Sequence, residues 1–145
     1  MEYHEILVAV DGSDEAQLAF EKAVDIAKRN EARLNIVHIL DNSYFASMEA
    51  LTHASIPDYP EKQGRKLLDE YKATAEAKGL TSVNIILEKG SPKALIPKDL
   101  AERVQADLIV CGATGIGGME RVFLGSVSER ITRTAVCDVL VVRNL

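Results

Sequence analysis

The chain has 145 residues, is 47% hydrophobic and 27% charged, and carries a formal net charge of −5, the mix expected of one domain spanning 1–145 with enough length to bury a core. The acidity excludes a globally basic footprint for nucleic acid. The absence of any apolar run near 18 residues excludes a membrane-spanning helix, and Met1-Glu-Tyr-His-Glu5 lacks the basic and apolar regions of a signal peptide.

In chain order, Ile6-Leu-Val-Ala-Val10 is a continuous apolar run, short enough for a strand covered on both faces. Residues 14–30 read as a helix, with Ala16, Ala19, Phe20, Ala23 and Ala27 at three- and four-residue spacing. A second strand follows over 33–40, with Leu34, Ile36, Val37, Ile39 and Leu40. Segment 41–60 is irregular, with Asn42, Ser43, Pro57 and Pro60; its Tyr44, Phe45, Met48 and Tyr59 suit a lid, a partner surface or padding. Residues 61–78 form a charged helix with Leu67, Leu68, Tyr71 and Ala75 on one side, ended by Gly79. A third strand covers 83–87. Ser91-Pro92 opens the next helix as a capping serine with proline in the first turn, and Pro97 predicts a kink or restarted turn near Ile96. Residues 108–111 form the fourth strand, 126–135 the fourth helix and Val139-Leu-Val-Val142 the fifth strand.

Alternating strands and helices predict an α/β fold, a doubly wound parallel sheet of five strands with helices on both faces. Ligands of such sheets bind beyond the carboxyl ends of the strands, where the winding reverses. The two loops richest in chemistry, Asp11-Gly12-Ser13 and the tract after residue 111, follow strands 1 and 4. Their joint use favours the order 3-2-1-4-5 over 2-1-3-4-5.

That tract runs Gly112-Ala-Thr-Gly115-Ile-Gly117-Gly118 and on to Gly125-Ser126, and holds five of the nine glycines in the chain. Glycines between a strand and a helix start let an anion approach unpaired backbone N–H groups. The spacing is neither a P-loop, since no Gly-Lys-Ser/Thr occurs, nor the dinucleotide fingerprint, since Gly115-x-Gly117 is followed by Glu120. It reads as a phosphate-binding loop, the alternative being a surface loop that needs positive φ. Ser126 is placed to cap the following helix, to donate to a phosphate, or both, and the backbone of Ser126 and Val127 faces the same anion. Asp11 suits ribose hydroxyls or Mg²⁺ near phosphates, or else a local turn with Gly12. Arg121 either leans over a phosphate or solvates the loop.

His4, His38 and His53 share no metal-ligand spacing and read as packed or solvent-facing. Ser13, Ser126 and Ser128 lack a neighbouring histidine and a Gly-x-Ser-x-Gly elbow, which argues against a hydrolase triad. Cys111 and Cys137, at strand-like positions, read as buried free thiols of a reducing cytoplasm rather than a disulfide or metal site.

Over its whole length the chain resembles the universal stress proteins of the nucleotide-binding kind, from Ile6-Leu-Val-Ala-Val-Asp-Gly-Ser13 through Ala106-Asp-Leu-Ile-Val to Val139-Leu-Val-Val142. Gly112-x2-Gly115-x9-Gly125-Ser126 matches that family's ATP motif at every glycine and at the serine. The resemblance implies an adenine nucleotide α-hydrolase-like fold that binds ATP, AMP or ADP with Mg²⁺. It places Asp11 near the ribose, and the backbone of Ile39 at the adenine. It assigns Gly112, Gly115, Gly125, Ser126 and Val127 to the phosphates. It also implies a homodimer through the last strand, Val139 to Val142. An apolar edge strand gives that pairing an independent motive. Pro97 departs from the pattern, away from the crevice. The expected function is a cytoplasmic, nucleotide-dependent stress-response switch or sensor; alternatives are a slow ATPase or autophosphorylating enzyme, for which no general base is evident, and a scaffold that binds nothing.

Overall fold

The computed structural model describes residues 2–41, 59–113 and 124–144. The strands β1 (Glu5–Ala9), β2 (Arg33–Asp41), β3 (Val83–Gly90), β4 (Leu108–Gly112) and β5 (Asp138–Val142) form one parallel sheet in the order β3-β2-β1-β4-β5. This is the expected order, with the winding reversing between β1 and β4. β3 runs further than its apolar stretch suggests, because Leu40 and Asp41 of β2 still pair with Lys89 and Gly90.

Successive strand residues face opposite sides, which explains why β1 is apolar throughout. Ile6 and Val8 pack with α1 (Asp14–Asn30) and α2 (Tyr59–Ala77), beside Phe20, Val24, Leu68 and Ala75. Leu7 points the other way, into a cluster with Ile109, Cys111, Ile96, Leu100 and Ile131. The second cluster is covered by α3 (92–104) and α4 (Ser126–Thr134). Phe20, fully buried, meets the Tyr71 ring edge-on with centroids 4.7 Å apart, a favourable aromatic geometry.

The start of α1 and the end of α2 have local causes. The Ser13 side chain accepts the N–H of Ala16 at 3.1 Å and caps α1. α2 closes at Gly79, with the N–H groups of Gly79 and Leu80 reaching back to the carbonyls of Glu76 and Ala75. In α3, the break expected at Pro97 takes the form of a change of helix type. The segment Leu95–Leu100 widens into a π-helical turn with Pro97 buried inside it, between ordinary turns at Pro92–Ala94 and Ala101–Val104. The wider turn accommodates a residue with no N–H to give. Ser91 precedes α3 as expected but makes no side-chain capping bond.

Cys111 is buried and Cys137 half-buried, and both are free thiols. Burial pushes the Cys111 thiol up to about 12. Among the described residues, no helix is long and apolar enough to cross a membrane.

Candidate functional site

Where the winding reverses, the chain leaves β1 through Asp11-Gly12-Ser13 and leaves β4 through Gly112 and Ala113. Two helices begin at this tip, and their first turns differ. The start of α1 is occupied: Ser13 caps it, Asp14 and Glu15 fill its first turn, and Asp11 Oδ1 accepts the N–H of Ser13 at 2.9 Å. The start of α4 is not. Gly125 holds the capping position (φ −68°, ψ 164°), and among the described residues no side chain caps the N–H groups of the first turn. Ser126 is therefore the first helical residue rather than the cap, a correction to one reading of its hydroxyl. Among the described residues this leaves the N–H groups of Ser126 and Val127 uncapped at the positive end of the helix. Glu129, the acidic residue of that turn, is paired with Arg133 at 3.3 Å.

The two ends of the glycine tract are tied together. The Ala113 carbonyl accepts the Gly125 N–H at 2.7 Å and the Ser128 hydroxyl at 2.7 Å. The Ser128 hydroxyl also lies 3.1 Å from the Gly125 carbonyl, and the Ala113 N–H continues the β4–β5 ladder to Val142. Ser128 is 3% exposed. Read from sequence only as a failed nucleophile, it is the clasp at the base of the tract. Gly112 lies so close to α1 that a Cβ there would stand 3.0 Å from Glu15 Cβ and 3.1 Å from the Glu15 carbonyl oxygen. Gly115 and Arg121, like His53, lie outside the described residues.

On the β2 side, Asp11, Gly12 and His38 form a cleft with Pro60, Gln63, Gly64, Lys66, Leu67 and Glu70 of α2. Its volume is about 320 Å³, at the lower end of small-molecule pockets. Asp11 is half-buried at its edge, and among the described residues its Oδ2 has no hydrogen-bond partner. Tyr71, read from sequence as part of an apolar stripe, brings its phenol to this edge, where it meets the Gly12 backbone and feels the Asp11 charge. Burial first, and that charge second, raise its pKa above 10. His38 likewise does more than pack, since its Nδ1 lies 2.8 Å from the Val10 carbonyl.

Ile39 presents its side chain to the α3/α4 cluster. Its backbone faces elsewhere. Alternate residues of a parallel strand direct both N–H and C=O to the same neighbour. The Val10 N–H bonds the Val37 carbonyl at 2.9 Å, so Val37, and two residues on Ile39, are turned toward β1. The β1 pairing ends at Ala9 with Val37, so Ile39 faces the tip beyond it. The structure thus brings Asp11, Ile39, Gly112, Gly125, Ser126 and Val127 to one end of the sheet. Among the described residues, no group of three or more His, Cys, Asp or Glu is placed to hold a metal ion. Asp11 offers Mg²⁺ one carboxylate, which fits an ion held mostly by phosphate oxygens and water.

Comparison with known proteins agrees with this architecture. The model of the universal stress protein family matches residues 2–143. A relative from Staphylococcus haemolyticus named as a universal stress protein is 50% identical over 141 residues, covering 97% of this chain and 85% of its own length. The solved structure of protein MJ0577 superposes with a TM-score of 0.87 at 23% identity, over 100% of this chain and 99% of that one. A universal stress protein solved in complex with cAMP superposes with a TM-score of 0.74 at 28% identity, over 99% of this chain and 98% of that one.

Proposed function

The chain belongs to the universal stress protein family, and we propose that it binds an adenine nucleotide across the tip of the sheet and works as a nucleotide-dependent switch or sensor. The observation that carries this reading is the contrast between two helix starts at one crevice, α1 capped and acid-filled, α4 with no side-chain cap among the described residues. Main-chain amides at a helix start can hold a polyanion in an acidic chain, and among the described residues α4 offers them. The cAMP-bound relative supports an adenine nucleotide as the ligand.

On this reading the triphosphate meets the backbone of Gly112, Gly115, Gly125, Ser126 and Val127. Asp11 accepts from the ribose hydroxyls and shares Mg²⁺ with the phosphates. The open backbone of Ile39 meets the base beside the cleft. Bound Mg²⁺ would neutralise phosphate charge; the protein contributes placement and dipoles. The readable output is the tract 113–124, whose ends the Ser128 clasp holds. A second copy of the chain pairs along β5, an edge strand of the sheet.

Calorimetry with ATP, ADP and AMP in Mg²⁺ tests the reading directly. Binding is expected. Asp11→Ala should weaken ATP roughly 10- to 100-fold, the worth of one hydrogen bond to a charged group, and Gly115→Val should weaken it with the fold intact. No heat with any of the three nucleotides removes the proposal.

A further inference from the structure

We infer that His38 is the positioning residue that keeps the base-reading edge of β2 open, so that nucleotide selectivity depends on its ring. The inference rests on the proposed adenine contact at Ile39 and deepens it.

The ladder between β1 and β2 stops one bond early. Regular parallel pairing would follow the Val10 N–H to Val37 bond with a bond from the Ile39 N–H to the Val10 carbonyl. That bond is absent between these two described residues. The Val10 carbonyl instead faces His38 Nδ1 at 2.8 Å. A carbonyl is acceptor only, so Nδ1 carries the proton and donates it. Because the histidine takes the carbonyl, Ile39 has no backbone partner on this side among the described residues, and its N–H and C=O are left for a ligand. That pair, one donor and one acceptor on the same side of the strand, complements adenine, which offers acceptor N1 and donor N6. Guanine offers the reverse at the same edge, a donor at N1 and an acceptor at O6, and meets like groups.

An independent feature holds the ring in place. α2 carries Gly64 in its first half, a residue that costs helix stability. A Cβ on Gly64 would stand 3.2 Å from His38 Cδ2, 2.9 Å from Leu87 Cδ1 and 3.5 Å from Leu40 Cδ2. The glycine lets α2 close over the imidazole, and the imidazole forms part of the cleft wall beside Asp11 and Gly12.

The test compares the wild type with His38→Leu and His38→Asn, the asparagine amide keeping a donor near the Nδ1 position. Without ligand, amide hydrogen exchange at Ile39 reads the edge directly. It should slow at least roughly tenfold in His38→Leu, as the freed Val10 carbonyl captures the Ile39 N–H, and stay near wild type in His38→Asn. By calorimetry, the preference for ATP over GTP should fall roughly tenfold in His38→Leu and persist in His38→Asn, with inorganic tripolyphosphate binding unchanged in both. If His38→Asn loses the preference as His38→Leu does, with Ile39 exchange unmoved, the ring is only packing and the inference is overturned. A wild type that binds ATP and GTP alike overturns the base contact at Ile39 and this inference with it. A wild type that prefers ATP beside a His38→Leu chain that prefers it equally overturns this inference alone.

Discussion

Replacing Ser128 by alanine isolates the clasp at the base of the glycine tract. The hydroxyl donates to the Ala113 carbonyl at 2.7 Å and lies 3.1 Å from the Gly125 carbonyl. Neither carbonyl is orphaned by its loss, because Ala113 keeps the Gly125 N–H at 2.7 Å and Gly125 keeps the Glu129 N–H at 2.9 Å. The cost is therefore one net hydrogen bond, about 1 kcal/mol, rather than the larger penalty of a buried unsatisfied acceptor. For a chain of this size that lowers Tm by about 3 °C. If the clasp also holds the phosphate amides in register, a tenfold loss of ATP affinity removes about 1.4 kcal/mol from the ligand's stabilisation at fixed MgATP, roughly another 4 °C. Thermal melts of both chains, with and without saturating MgATP, separate the two terms. An unchanged Tm without ligand refutes the clasp. A lowered Tm with a full ATP-induced shift leaves the clasp structural and refutes its part in binding.

Gly112→Ala places a Cβ 3.0–3.2 Å from the Cβ, carbonyl carbon and carbonyl oxygen of Glu15. Backbone cannot swing aside as a side-chain end can, so overpacking of about 1–3 kcal/mol should outweigh the roughly 0.5–1 kcal/mol that alanine gains over glycine. Chemical denaturation should show a net loss together with weaker nucleotide binding, and a stabilised variant would contradict the close approach. Cys111 predicts an alkaline limit. Its pKa rises from 9.0 to about 12 on folding, by burial, so between those values the unfolded chain sheds a proton that the folded chain keeps. Stability from this group is complete below pH 9 and falls by about 1.4 kcal/mol per pH unit above it. Denaturation at pH 8, 9 and 10 should show wild type losing about 1.4 kcal/mol in total from this group, most of it between pH 9 and 10, with a smaller loss in Cys111→Ala, and an equal loss in both would refute it. A thiol reagent at pH 8 should label half-buried Cys137 before Cys111.

The architecture was legible because each of its causes is local or periodic. Continuous apolar runs such as Ile6 to Val10 require helices on both faces, and the two polar loops after strands 1 and 4 point to the switch that fixes the strand order. What remained hidden depends on contacts between elements. Ser128 looks like any serine in a first helical turn until the fold brings the Ala113 carbonyl to it. Gly64 reads as a weak spot in a charged helix, because its cause lies in β2 and β3, where His38 and Leu87 need the space. Tyr71 fits an apolar stripe by spacing, and only packing reveals that its phenol reaches Gly12. Pro97 forecast a break in the backbone ladder correctly in kind; whether a helix kinks, restarts or widens is decided by what packs around Ile96 and Leu100. Ser126 and Gly125 exchanged the capping position because sequence signals place a helix start only to within a residue or two.

The division of the tip into two halves constrains any switch built on it. A ligand shifts a conformational equilibrium only through contacts that differ between the two states. AMP and ATP carry the same base and ribose, so the Ile39 edge, the cleft and Asp11 cannot tell them apart except through a shared metal. On the proposed binding mode, any difference the protein reports between them arises at β4 and α4, where the additional phosphates would meet main-chain amides and where the Ser128 clasp joins the strand to the helix. A chain whose surface responds identically to AMP and ATP is then a sensor of the adenine nucleoside. One that distinguishes them should lose that distinction in Ser128→Ala while keeping its preference for adenine, because the His38–Val10 bond lies on the other side of β1. Finding both properties lost together would show that the two halves are not mechanically separate.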